Sequence, residues 1–162
     1  MNRRVWEERL RVEVSRAGRS GDPLTVVVLD IDRFKAYNDR FGHAAGDRLL
    51  GSCAAHWLAG VRAVDVLARI GGEEFGLLLP DCTTEGGIEI MRRLSAATRE
   101  LRTFSAGLAQ WIPGETGASL VSRADEALYE AKGRGRDACV VAESSLLVRL
   151  SPQHELQGKH AS

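Results

Sequence analysis

The sequence predicts an α+β fold, a single mixed sheet with helices packed on it, from three patterns. Residues 24–29 (Leu-Thr-Val-Val-Val-Leu) form a nearly continuous β-branched and aliphatic run, as in a central strand covered on both faces. Val64, Val66, Ala68 and Ile70 alternate with other residues, and after Gly71-Gly72 the chain resumes with apolar residues from Phe75 to Leu79, which reads as a β-hairpin. Between these strands lie stretches whose apolar residues recur at helical spacing. A chain of 162 residues can bury a sizeable core as one domain without disulfides.

The elements follow in order. Trp6, Leu10, Val14 and Ala17 share one face of an amphipathic helix over 3–18, which "RSGDP" ends. The first strand runs from Leu24 to its acidic end at Asp30. Helices are expected over about 33–41 and 44–60, followed by the hairpin strands and a helix over 84–100 that carries Ile88, Ile90, Met91 and Leu94. Residues 103–109 are strand-like. A helix over 118–132 aligns Leu120, Val121, Ala124, Ala127, Leu128 and Ala131 and stops at Gly133. Residues 138–142 form the closing strand. From 143 to 162 the periodicity fades and Pro, Gln, His and Ser enter, so the domain is placed at 1–142 with a loosely attached tail at 143–162. A short helix at "SLLVRL" is the alternative there.

Composition narrows the function. Because 22 basic residues balance 22 acidic ones, no overall field recruits nucleic acid or an anionic membrane. "KGRGR" is too short for an RNA-binding patch and has no interleaved aromatics. Cys53, Cys82 and Cys139 are odd in number and lack metal spacing, which suits reduced packing residues in a cytoplasmic protein. The charged start has no leader-like apolar core, and no apolar run reaches membrane-spanning length, so neither export nor insertion is expected. The absence of G-x-x-x-x-G-K-[ST] excludes a P-loop. His43 reads as a structural hydrogen-bonding residue, His56 as a packing residue beside Trp57, and His154 and His160 lack zinc spacing.

The acids carry more information. Asp30 and Asp32 are two residues apart and share one side of an extended chain, and if the hairpin lies beside that strand, Glu73 and Glu74 join Asp30 in an oxygen-rich cluster of the kind Mg²⁺ prefers. Each acid has an ordinary alternative: an Asp at a strand end can cap a helix, and paired glutamates on a turn can simply be solvated.

Together, "LDIDRFKAYNDRFGHAAGDRLL", "RIGGEEF", "SAGLA" and "ADEALYEAKGRGRD" resemble, in content and order, the GGDEF family of diguanylate cyclases. The resemblance spans about Asn2 to Ala142. It implies a ferredoxin-like, palm-like fold shared with nucleotide polymerases and adenylyl cyclases, and an enzyme joining two GTP into cyclic di-GMP. It implies that Asp30, the Ile31 carbonyl and Glu73 hold Mg²⁺ (or Mn²⁺), with Glu74 near a second metal position. Which glutamate is ligand and which assists deprotonation stays open. Lys35 and the first amides of the helix beginning near Phe34 would take terminal phosphates. Gly71 and Gly72 would admit the nucleotide, Asn38 and Asp47 would read guanine, and Lys132 and Arg136 would reach the triphosphate from the other side. An Asp47 carboxylate suits guanine because it can accept from N1–H and N2–H₂, which adenine lacks.

By the same resemblance each domain binds one GTP, so catalysis needs an antiparallel homodimer. Arg62 and Asp65 of "RAVD", with Arg93 more readily than its neighbour Arg92, would form an inhibitory site for cyclic di-GMP; the alternative is a surface ion pair. The chain departs from the family pattern in three places. The usual Asp-x-Leu-Thr lead-in is missing before Asn2, which suggests a piece of a larger cytoplasmic signalling protein with an upstream sensory domain. Asp137 stands where asparagine is usual, and the segment from Leu94 to Phe104 is short. The competing functions are a non-catalytic GGDEF domain that binds GTP or cyclic di-GMP as a signalling module, and a ligand-free interaction module.

Overall fold

The computed structural model describes residues 1–152. β1 (Leu24–Ile31) lies at the centre and is buried along its whole length. It pairs antiparallel on one side with β3 (Glu74–Pro80) and on the other with β4 (Phe104–Gln110). β2 (Val66–Arg69) extends the sheet beyond β3, while β5 (Ala138–Val141) lies parallel to β4, completing the order β2-β3-β1-β4-β5 with a further strand outside β5. The parallel pair requires a crossover, which α5 (Gly117–Gly133) supplies.

Helices cover both faces, which explains the continuous apolar run of β1. Val27, Leu29 and Ile31 point into a core shared with α2 (Phe34–Phe41), α3 (His43–Gly60) and α4 (Thr84–Thr98). Trp57 of α3 is fully buried there, with Phe75 and Phe104 set edge-on to its ring at 5.1 and 5.3 Å. Val26 and Val28 face the opposite core, beneath α1 (Arg3–Ser20) and α5. A Cβ on Gly107 would lie 1.9 Å from the Ala124 carbonyl oxygen, so glycine is what lets α5 rest directly on β4.

Two boundaries are set by local chemistry. The Asn2 side chain accepts from the Val5 amide and starts α1, and Gly21 at φ 76° closes it two residues later than periodicity indicated. α5 ends at Gly133, but the left-handed turn beyond it falls on Gly135, Arg136 and Asp137.

The expected tail is corrected at its start. Leu146–Arg149 form β6, antiparallel to β5 with Ala138 opposite Arg149, and Leu150 is buried. The short helix considered for this segment is therefore not formed. Leu-Leu-Val-Arg instead satisfies the otherwise unpaired edge of β5. The rest of the proposed tail, 153–162, lies outside the described residues, as do His154 and His160.

Candidate functional site

β1 and β3 run in register so that Asp30 stands opposite Glu74, while the Ile31 amide donates to the Glu73 carbonyl over a long 3.4 Å. The hairpin acids thus reach the acidic end of the central strand. The Asp30 carboxylate accepts from the Lys132 ammonium at 2.9 Å. Burial pushes the Asp30 carboxyl up to about 6, and the charges of Glu73 and Glu74 push the same way, against the opposing pull of Lys132. Among the described residues no three acidic, His or Cys side chains form a closed metal cluster. The donor set nevertheless suits a hard divalent cation: three carboxylates and a strand-end carbonyl, all oxygen, whose mutual repulsion a cation would relieve.

Gly71 and Gly72 connect the strands without left-handed backbone, since neither has a positive φ. Their contribution is space. A Cβ on Gly71 would come within 2.6 Å of the Glu74 carboxylate, whereas Gly72 faces an open volume. Arg69 fixes the loop, its Nε donating to the Gly71 and Gly72 carbonyls at 3.2 and 2.9 Å. Nothing in the sequence reading drew attention to Arg69; its position just before two glycines was the available signal.

A cavity of about 440 Å³ opens between the hairpin, α2 and the start of α3, lined by Phe34, Lys35, Asn38, Asp39, His43, Asp47, Leu50, Arg69, Gly72 and Glu73. The structure therefore brings Phe34, Lys35, Asn38, Asp47, Gly72 and Glu73 of the sequence-selected residues to one volume, while Asp30, Ile31, Gly71, Glu74, Lys132 and Arg136 do not line it. A Cβ on Gly46 would overlap the Asn38 side chain at 1.8 Å, so this glycine makes room for Asn38. Asn38 Oδ1 is buried with no hydrogen-bond partner among the described residues, an orphaned polar atom beside an open cavity.

Asp32 does not join the acids. Its carboxylate is buried and accepts from the Ser105 and Thr103 hydroxyls at 2.6 and 2.7 Å and from the Asp137 amide at 3.0 Å. It ties together the ends of β1 and β4 and the turn after α5. Arg102 donates to the Asp32 and Arg33 carbonyls at the entry to α2. Lys132 lies in the last turn of α5 and Arg136 in the following turn, exposed and without an ion pair among the described residues. Arg136 lines neither main cavity.

A larger hollow, about 840 Å³, lies between α1 and α5 with Trp6, Leu10, Ile70, Val121 and Leu128 among its walls, and Glu74 and Lys132 border it. Its apolar walls alternate with Arg3, Glu7, Arg11, Asp125 and Lys132, whereas the smaller cavity gathers Lys35, Asn38, Asp47 and Glu73.

Arg62 is engaged internally. Its guanidinium bonds the Asp65 carboxylate at 2.7 Å and the Pro80 carbonyl at 2.8 Å, and the Asp65 side chain is fully buried. Arg93 reaches across from α4 to the Gly60 carbonyl at 2.8 Å, close to Arg62 in the chain, whereas Arg92 pairs with Glu89 on its own helix. The three cysteines are free and buried, and burial pushes the Cys53 and Cys139 thiols up to about 11 and 12.

The chain belongs to the GGDEF family. The model of the diguanylate cyclase GGDEF domain matches residues 1–138. Diguanylate cyclase DgcP of Pseudomonas aeruginosa is 43% identical over 151 residues, covering 87% of this chain and 22% of that protein, so the chain spans about a fifth of that relative's length. The GGDEF domain of DgcB from Caulobacter crescentus, solved with c-di-GMP, superposes with a TM-score of 0.85 at 31% identity, covering 88% of this chain and 89% of that one. Diguanylate cyclase SiaD of Pseudomonas aeruginosa, solved with its activator SiaC, gives 0.84 at 39% identity over 86% of this chain and 58% of that one. No helix among the described residues is long and apolar enough to cross a membrane.

Proposed function

We propose that this chain is a catalytic diguanylate cyclase domain that condenses two GTP into cyclic di-GMP and two pyrophosphates. The observation that carries the proposal is the single cavity in which Lys35, Asn38, Asp47, Gly72 and Glu73 meet. In this reading Asn38 and Asp47 hold the guanine edge at one end, with the orphaned Asn38 Oδ1 available to a guanine donor. Phe34 packs beneath, Lys35 and the first amides of α2 take terminal phosphates, and Gly72 lets the backbone approach the nucleotide. Glu73 and Glu74 stand where the reacting groups meet, both within the metal-holding group and one of them also close to the 3′-hydroxyl proton. Lys132 now neutralises Asp30 and, with Arg136, turns to the triphosphate when it arrives. Asp30, the Ile31 carbonyl, Glu73 and Glu74 would hold Mg²⁺ (or Mn²⁺), which when bound supplies charge neutralisation at the α-phosphate and lowers the hydroxyl's pKa.

One nucleotide per domain places the attacking 3′-hydroxyl and the α-phosphorus on two chains, so the active form is an antiparallel homodimer in the cytoplasm, where GTP is found. Cyclic di-GMP acts back on the domain at Arg62, Asp65 and Arg93. The test is incubation of the purified chain with GTP and Mg²⁺ followed by separation of the products. Cyclic di-GMP appearing with two equivalents of pyrophosphate supports the proposal. GTP that binds and is recovered unchanged at high chain concentration contradicts it and favours a binding module.

A further inference from the structure

The turn after α5 has an unusual backbone. Gly135 sits at φ 107°, and it is followed by two non-glycine residues in the left-handed region, Arg136 at 60° and Asp137 at 46°. Such residues persist there only when their surroundings hold them. On one side the Asp137 amide donates to Asp32 at 3.0 Å, and the Arg136 amide donates to the Ala131 carbonyl at 3.1 Å. On the other side the bonds come from the end of β6 and the residue after it. Arg149 donates from Nη1 to the Arg136 carbonyl at 2.9 Å and from Nη2 to the Arg134 carbonyl at 2.8 Å, while the Leu150 amide donates to the Asp137 carbonyl at 3.0 Å. The fit is close: a Cβ on Gly135 would lie 3.3 Å from Arg149 Nη1.

We propose that Arg149 is a positioning residue for the triphosphate end of the site, acting through the 134–137 turn that carries Arg136. The inference rests on the nucleotide reading above. Arg149 lies on the edge strand β6, beyond the residues matched to the family model, which end at 138. A guanidinium suits the task because its planar fork bonds two carbonyls at once, whereas a lysine ammonium at the same place is a single point of attachment. With its turn fixed, Arg136 starts from a defined backbone and loses less freedom when it grips phosphate.

The experiment measures GTP and GMP dissociation constants for the parent, R149A, R149K, R136A and the R149A/R136A double variant, with thermal midpoints recorded alongside. Holding one ordered side chain in place corresponds to about a threefold to tenfold effect on GTP affinity. The expected result is that R149A loses this much for GTP, holds GMP as the parent does, and adds nothing to the loss caused by R136A; R149K falls between parent and R149A. Full GTP affinity in R149A, equal losses for GTP and GMP, or losses that multiply in the double variant would each overturn the proposal. If R149A does not fold, R149K decides: a selective GTP loss supports the proposal, and unchanged affinity overturns it. A parent that fails to bind GTP refutes the nucleotide reading itself and is distinguishable from all of these.

Discussion

The Lys132 ammonium lies 2.9 Å from the Asp30 carboxylate, so the last turn of α5 is bonded to the end of the central strand where Glu73 and Glu74 also converge. One cation faces three acids there. Burial and the two glutamates together outweigh it and leave the Asp30 carboxyl at about 6, above its ordinary value of 3.8.

This sets a pH dependence of stability. The folded chain keeps the Asp30 proton to higher pH than the unfolded chain, so the contribution is fully present below pH 3.8 and is lost as pH rises through about 6. A shift of this size is worth about 2–3 kcal/mol. Asp30→Asn cannot titrate, so the thermal midpoint of the variant relative to the parent should rise between pH 4 and 7 in metal-free buffer. A constant difference across that range would show that Asp30 is not held protonated by the fold.

Asp47→Ala should weaken GTP binding and erode discrimination against ATP, because Asp47 is an exposed carboxylate on the cavity wall and selectivity of this kind comes from polar groups left unpaired by the wrong base. Competition binding with GTP and ATP measures it. An unchanged preference would move guanine recognition to another residue.

Arg69→Ala removes the two hydrogen bonds that fix the glycine carbonyls of the hairpin. Losing about 1 kcal/mol should lower the thermal midpoint by about 2–4 °C. Cyclic di-GMP formation should fall much further, by about tenfold, because the hairpin acids lose their position. Equal activity in parent and variant would show that the loop holds its geometry without this clamp.

Product inhibition can be tested at Arg62 and Arg93. Arg62→Ala should relieve inhibition by cyclic di-GMP without lowering the initial rate, but it also strips the partner from the buried Asp65 and should cost about 1–3 kcal/mol of stability. Arg93→Ala gives up only a bond to the Gly60 carbonyl and should relieve inhibition with little loss of stability. Inhibition of both variants as strong as that of the parent would place the product site elsewhere.

What could be read from the sequence follows from the range of each interaction. The buried run of β1, the alternation before the hairpin and the apolar stripe of α5 are local patterns, and the structure reproduces each within a few residues. The cluster around the hairpin was legible because the acids and glycines are adjacent in the chain. The roles of Asp32, Arg102 and Arg149 were not legible, because they are set by bonds to carbonyls, hydroxyls or an amide that become neighbours only after folding; Asp32, for one, bonds residues 71 to 105 positions away. Asp32 shares one side of the strand end with Asp30 in the sequence, but Thr103, Ser105 and Asp137 take its oxygens. The glycine pair suggested room for a nucleotide, and the room at Gly71 is taken by Glu74 while Gly72 faces open space. β6 went unseen because a four-residue edge strand with mixed exposure carries almost no periodic signal.

The most direct test of the site is Glu73→Gln, which removes one negative charge from the hairpin while keeping the side chain's size. Parent and variant should be compared side by side for cyclic di-GMP formed from GTP and Mg²⁺, for GTP affinity and for thermal midpoint. The account predicts that turnover disappears while GTP still binds and the midpoint holds. A variant that makes cyclic di-GMP at near the parent rate would contradict the assignment of the reactive centre to the hairpin acids.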